Sequence, residues 1–335
     1  RPALQNKSFG FYLQDDWNVT DRLNLSLGVR NDKFVNKTSL GSDFVAIKNQ
    51  WAPRVGINFD PTGEKKARLS AFYGRYYLPV AANTNIRLGG AELFLRDFYA
   101  LPTGAGGVYT GDLVNPALGA KVDGVVFSDG TISPPSTLVS KNLKPQYMDE
   151  FIVGGEYRFD NNMRIGLNVI HRKLGTVLED TDLDGDGGAY ESIIGAFCAT
   201  QTLAYCNATT EPTVNGGGYI LMNPGRDAIF DVIDENGDLQ PITIPASFIG
   251  IPKAKRNYWA VELNWERPFD GTWGLNASYV WSRSHGNYEG GVKSDTSQDD
   301  TGITSDFDEP GFTDGATGFL PNHRAHTFKV FGSYK

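Results

Sequence analysis

The chain has 335 residues, 39 of them glycine and 15 tyrosine, with a formal net charge of -8 and a mean hydropathy of -0.33. An acidic balance without a concentrated basic face argues against a nucleic-acid partner. No apolar run approaches the ~20 residues that a spanning helix needs, and neither convincing amphipathic helices nor a nucleotide-binding fingerprint is found.

What the chain does contain is a repeated period of two, the signature of strands whose two faces meet different solvents. The first strand carries Phe9, Phe11, Leu13 and Trp17, with Asp15 as a departure in the same row. The second carries Leu23, Leu25, Leu27 and Val29 against Asn24, Ser26, Gly28 and Arg30. Trp51, Val55, Ile57 and Phe59 mark a third, and Leu69, Ala71, Tyr73 and Tyr77 a fourth. After a long interruption come Phe151, Val153, Tyr157 and Phe159, then Ile165, Leu167 and Val169. A second interruption precedes Trp259, Val261, Leu263 and Trp265, followed by Trp273, Leu275, Ala277, Tyr279 and Trp281. The ninth strand opens near His326 with Phe328, Val330 and Tyr334 on one face.

The connections alternate in length. Residues 18–22, 60–66, 160–163 and 268–272 are tight turns, whereas residues 32–50, 80–144, 175–255 and 285–324 are long. Short turns at one end and long loops at the other are the asymmetry of outer-membrane barrels, with the short turns periplasmic. Trp17, Phe59, Tyr157, Phe159, Trp265, Trp273 and Tyr334 fall beside the short turns, and Trp51, Tyr77, Trp259 and Trp281 beside the long loops. Two aromatic bands flanking an aliphatic middle are what the two headgroup regions favour. The expected fold is therefore all-β, an antiparallel transmembrane β-barrel with long extracellular loops, in the bacterial outer membrane. Arg54, Arg75, Glu156, Arg158, Glu262 and Glu266 are expected to face the lumen, lining a pathway or pairing as a ladder that stabilises it.

Nine strands is an odd count, and the chain starts and stops close to or within strands, at Arg1-Pro2-Ala3 and Tyr334-Lys335. Single-chain bacterial barrels close with an even number. Residues 1–335 are thus expected to be one portion of a larger barrel, without signal peptide.

Several segments carry a family resemblance. Phe11-Tyr12-Leu13-Gln14-Asp15-Asp16-Trp17, Leu25-Ser26-Leu27-Gly28-Val29-Arg30, Ala52-Pro53-Arg54-Val55-Gly56 and Tyr73-Gly74-Arg75-Tyr76-Tyr77 resemble the barrel of TonB-dependent outer-membrane receptors. Asn257 to Glu262, Ala277 to Arg283 with Gly286-Asn287-Tyr288, and Leu320 to Lys329 are similar to the Oar-like branch, whose members carry a carboxypeptidase-regulatory-like domain before the plug. The resemblance implies a barrel of about twenty-two strands, of which this would be a C-terminal-side portion, with a plug and a TonB box elsewhere. It implies an energised transporter coupled to the TonB-ExbB-ExbD complex, with an extracellular ligand of unidentified chemistry and lipopolysaccharide or other outer-membrane lipid around it. This chain would supply barrel wall and ligand-capturing loops. Adhesion or protein export of the Oar type is the rival reading, since long acidic loops would also serve a protein partner. An enzyme is not expected, because neither a G-x-S-x-G elbow nor a persuasive Ser/His/Asp set is found.

One loop carries a sharper signal. Asp180, Asp182, Asp184, Gly185, Asp186 and Glu191 satisfy the D-x-D-x-D-G-x5-E pattern for Ca²⁺, with oxygen ligands at alternating positions and a closing carboxylate. A structural Ca²⁺ held by Asp180, Asp182, Asp184, the Asp186 carbonyl and Glu191 is expected; the alternative is an acidic, glycine-rich solvated loop. Cys198 and Cys206, the only cysteines, are expected to form a disulfide, the default for a close pair in an oxidising compartment. His323 and His326 read as exposed residues at a strand entrance rather than as zinc ligands, and Asp295, Asp299, Asp300, Asp306, Asp308 and Glu309 as solvated loop charge.

Overall fold

The computed structural model describes residues 4–90, 93–103, 109, 111, 114, 117–185, 192–208, 212–214, 218–294, 297–298 and 302–335. In chain order its strands begin β1 (Asn6–Thr20), β2 (Leu23–Lys37), β3 (Asp43–Phe59), β4 (Ala67–Leu78), β5 (Leu93–Tyr99), β6 (Lys121–Asp129), β7 (Gln146–Arg158) and β8 (Arg164–Leu174). They continue with β9 (Glu179–Asp182), β10 (Tyr219–Met222), β11 (Ala228–Ile233), β12 (Leu239–Ile244), β13 (Arg256–Arg267), β14 (Trp273–Gly286), β15 (Gly318–Phe319) and β16 (His326–Tyr334). Short helices α1 (Ala82–Gly89), α2 (Ile193–Cys198) and α3 (Ala246–Ile249) lie in the long connections.

Ten strands make one antiparallel sheet, in the order β1-β2-β3-β4-β7-β8-β13-β14, with β15 and β16 both pairing with β14. This is the wall, and it contains all nine strands read from the sequence. Its register separates two faces. One rung runs Leu69, Gly155, Leu167, Leu263, Tyr279 and Phe328. The next residue on each strand gives Ser70, Gly154, Asn168, Glu262, Val280 and Thr327 on the opposite face. Nothing among the described residues covers the apolar face, where Leu167 is 48% exposed, Val153 59% and Phe328 70%. A contiguous apolar surface of this kind marks a lipid or protein contact, and unbroken backbone pairing is what lets strands enter lipid. No helix among the described residues is long and apolar enough to cross a membrane.

Two of the four tight turns are built by aspartate. Asp60 Oδ1 accepts from the Thr62 and Gly63 amides and its Oδ2 from the Lys65 amide, while Asp270 Oδ1 accepts from the Thr272 and Trp273 amides. Each carboxylate satisfies amides that the ladder leaves unpaired, so β3 reverses into β4 and β13 into β14 with few residues. Lys65 and Gly63 take the positive φ that such a reversal requires.

At the other end the connections fold into a dome. The segment 32–50, expected as a loop, is the continuation of the β2–β3 hairpin, which reverses only between Lys37 and Asp43. Its tip buries Phe44, Val45 and Ile47 with Val80, Leu88, Leu138, Leu178 and Leu221. The larger core joins Leu183, Ile194, Phe197, Ile220, Phe230, Ile242 and Ile244 with Tyr288 and Phe307. The described residues of the segment 175–255 are therefore not an open loop. They hold paired strands β9–β10 and β11–β12, two helices and a packed interior.

Candidate functional site: the lumen face and the extracellular dome

The inner face of the wall is polar and cross-linked by charge. Arg68 meets Glu156 at 3.1 Å and Arg164 meets Glu266 at 3.1 Å, on neighbouring strands. Further toward the dome Arg172 pairs with Glu150, and Arg54 lies 5.0 Å from the centroid of the Tyr76 ring. Glu262 and Arg158 share this face, so five of the six residues expected in the lumen are there. Arg75 is not. It shares the outer face with Tyr73 and Tyr77, since Tyr73 pairs with Phe151 and Arg75 with Asp149. Its guanidinium grips Asp149 through two bonds of 2.8 and 2.9 Å, and the Tyr73 hydroxyl donates to the same carboxylate at 3.0 Å. A bidentate pair beside rings keeps the charge tolerable there.

In the dome, β9 carries four consecutive buried residues, Glu179 to Asp182. Glu179 accepts from the Tyr288 hydroxyl at 2.7 Å and from the Thr304 amide and hydroxyl at 2.7 and 3.1 Å. Burial dominates these bonds and pushes its carboxyl up to about 8. Asp180 is raised well above the usual carboxylate range by burial, with the Asp308 and Glu179 charges adding to it. One of its oxygens meets no hydrogen-bond donor among the described residues. Tyr288 is raised by burial and by Glu179.

The acidic pattern opens at Asp180 within a buried strand. Asp180 and Asp182 sit in a strand opposite Leu221 and Tyr219, not in a coiled loop. Asp182 Oδ1 accepts from the Asp184 and Gly185 amides, capping the turn that follows, and Asp184 Oδ2 accepts from the Val214 amide. Among the described residues no three His, Cys, Asp or Glu side chains gather in a way that could hold a metal ion. Asp186 and Glu191 lie outside the described residues. Nearby, Ser192 caps α2 through the Gly195 amide, and Cys198 is joined to Cys206 by a disulfide.

The remaining candidates disperse. His323 Nδ1 accepts from the Ser284 amide and His326 Nδ1 meets the Tyr279 hydroxyl, so the two imidazoles bond to separate positions along β14. The acidic run near residue 308 is not simply solvated: Glu309 is buried, Asp306 pairs with Lys293 and the Asp308 carbonyl accepts from the Asp182 amide. Asp295, Asp299 and Asp300 lie outside the described residues. The Tyr288–Glu179–Thr304 cluster was not foreseen; its only signal was an acid and a tyrosine far apart in sequence.

A wall with an apolar outer face, a charged inner face, short turns at one end and a folded dome at the other defines a transmembrane β-barrel of the outer-membrane type. The family described as TonB dependent receptor-like, beta-barrel, matches residues 1–334, and the chain belongs to it. It is accordingly a barrel portion of the outer-membrane kind. It is 29% identical over 344 residues to the TonB-dependent transporter Oar of Myxococcus xanthus, a match covering 97% of this chain and 27% of that protein. Among solved structures it is similar to that of the FpvAI-pyocin S2 complex, with 12% identity, a TM-score of 0.49 and coverage of 99% of this chain and 26% of the other. The siderophore receptor PiuA from Acinetobacter baumannii gives 13%, 0.47, 99% and 31%. The chain therefore spans about a quarter to a third of the length of these proteins.

Proposed function

We propose that this chain forms part of the barrel wall and the extracellular capture surface of a TonB-energised outer-membrane transporter. The observation that carries this reading is the sidedness of the wall: ion pairs Arg68–Glu156 and Arg164–Glu266 on the face that encloses the pathway, and uncovered Leu167, Leu263 and Phe328 on the other. A polar interior suits a wet passage or a polar plug, and an apolar exterior suits lipid. The dome lies at the end opposite the tight turns, which puts it outside the cell, where a ligand would first be met. Coupling to TonB would come through parts of the protein beyond this portion of wall, in keeping with the relative's name.

The test is ligand accumulation in cells lacking the full-length gene, complemented with wild type and repeated in a strain lacking TonB. Transport requires that uptake vanish in both deletions. Uptake that persists without TonB, or surface attachment that depends on the gene and not on TonB, would instead favour adhesion.

A further inference from the structure

On the outer face the aliphatic rungs end, toward the dome, in a row of rings. Tyr73, Phe151, His171 and Trp259 occupy one rung on β4, β7, β8 and β13, with successive centroids 4.7, 6.1 and 4.0 Å apart. The same rung reaches β14 at Arg283, directly opposite Trp259. The rung above it reads Arg75, Asp149, Lys173, Asn257 and His285.

The charges along these two rungs do not balance. Asp149 is taken by Arg75 and Tyr73, so it is not available to Lys173 on the next strand. Lys173 and Arg283 are both exposed, and among the described residues neither enters an ion pair; the Arg283 guanidinium lies 5.5 Å from the centroid of the Phe319 ring. They stand two strands apart and one rung out of step. Barrel strands tilt by about 35–45°, so a step of this kind along the wall leaves both cations at similar depth in the membrane. Strand spacing and rise put their Cα atoms about 12 Å apart, a gap that two long side chains can span once Arg283 swings away from the Phe319 ring on β15. Asn257 lies between them, and the Trp259 ring lies below.

We infer that Lys173, Arg283 and Asn257, above Trp259, form a site for the phosphate-bearing headgroup of an outer-leaflet lipid. The inference rests on the outer face being the lipid face. A lysine supplies a point cation and an arginine a planar fork, a combination that suits phosphate oxygens better than a carboxylate-free water surface does. Val261 and Leu167 follow on the same face toward the tight turns, so a ligand seated there can lay acyl chains along the wall. This geometry selects a lipid over a free anion. Lone interfacial cations can also snorkel to water without holding any particular headgroup, and the experiment separates the two.

The full-length protein is folded in maltoside micelles, its folding is checked by heat-modifiable migration, and bound lipid is read by native mass spectrometry with synthetic diphosphoryl lipid A or phosphatidylcholine added. Wild type is expected to retain the diphosphoryl lipid and to release phosphatidylcholine. Lys173→Gln with Arg283→Gln is expected to weaken retention about thirtyfold, the loss expected for two interfacial cations. Lys329→Gln, on the lumen face opposite Ser278, is expected to leave it unchanged. Equal retention by the double variant would overturn the site, and displacement of the lipid by millimolar inorganic phosphate would overturn its assignment to a lipid. A wild type that does not fold into micelles would break the lipid-facing reading itself, and the site with it.

Discussion

Leu167 and Leu263 in the wall are 48% and 41% exposed, whereas Phe230 and Ile244 in the dome are fully buried, yet all four come from strands that alternate side chains between two faces. In the wall the apolar row points away from the rest of the protein and depends on lipid to cover it. In the dome the apolar rows of β11 and β12 point inward, and Ala228, Phe230, Val232, Ile242 and Ile244 make a core of the ordinary water-excluding kind. One chain therefore solves the same alternation in two solvents. The difference has a thermodynamic consequence. The dome draws its stability from burial, at roughly 1.5–3 kcal/mol for each large side chain removed from water; the wall draws it from a continuous backbone ladder that lipid makes costly to open.

The largest effect that separates the two regions is expected from Phe230→Ala. Emptying a fully buried aromatic site should destabilise the dome by about 3–5 kcal/mol while the wall still assembles. Protease sensitivity of residues 175–255, read beside heat-modifiable migration of the full-length protein, checks this; loss of both together would mean that the regions fold as one unit.

Next comes Leu167→Arg, which should cost about 2–4 kcal/mol where the strand crosses the middle of the bilayer, with Asn168→Arg nearly neutral because it points into the lumen. Refolding titrations into vesicles measure both, and equal costs would refute the register. Asp149→Ala should cost about 1.5–3 kcal/mol by leaving Arg75 without its carboxylate. The same titration serves, and adding Arg75→Met should recover part of the loss.

A smaller effect, confined to the dome, follows from Glu179. Its folded value of about 8 lies above the ordinary carboxylate value near 4.5, so the folded state holds a proton that the unfolded state releases. Dome stability should then fall as pH rises from about 4.5 through about 8, with Asp180 acting in the same direction. Limited proteolysis across that range reads it, and Glu179→Gln should flatten the profile. Adding millimolar calcium at the alkaline end distinguishes proton from metal. Restored protection would require a cation among the carboxylates from Asp180 onward, and unchanged protection would mean that protons alone neutralise them.

The wall was legible because lipid and water make opposite demands on adjacent residues, leaving Trp273, Leu275, Ala277, Tyr279 and Trp281 in plain alternation. Legibility stops where that contrast stops. Above the membrane β2 and β3 continue, but a register shift between Asp32 and Phe34 breaks the period, and Phe44, Val45 and Ile47 turn into the dome. In β11 the positions between the buried residues are Ile229, Asp231 and Ile233, so apolar side chains occupy both faces and the period is masked. The core they enter draws on residues as distant as Leu183 and Phe307, and no local pattern announces it. Arg75 was misplaced for a simpler reason. Its charge suggested the lumen, while its odd number, shared with Tyr73 and Tyr77, already put it outside. The acidic pattern from Asp180 to Glu191 was visible as composition, but its strand pairing and burial depend on β10 and on residues 304–308.

The contrast between the two regions is tested most directly by spin labels placed one at a time along 164–170 and 228–233 of the full-length protein in outer-membrane lipid. Collision rates with oxygen, which concentrates in lipid, are compared with those of a water-soluble nickel chelate. Oxygen access should peak at 165, 167 and 169 and nickel access at 164, 166 and 168, while labels at 228, 230 and 232 should be shielded from both. Oxygen peaks at 166 and 168, or shielding from both reagents at 165, 167 and 169, would contradict the account.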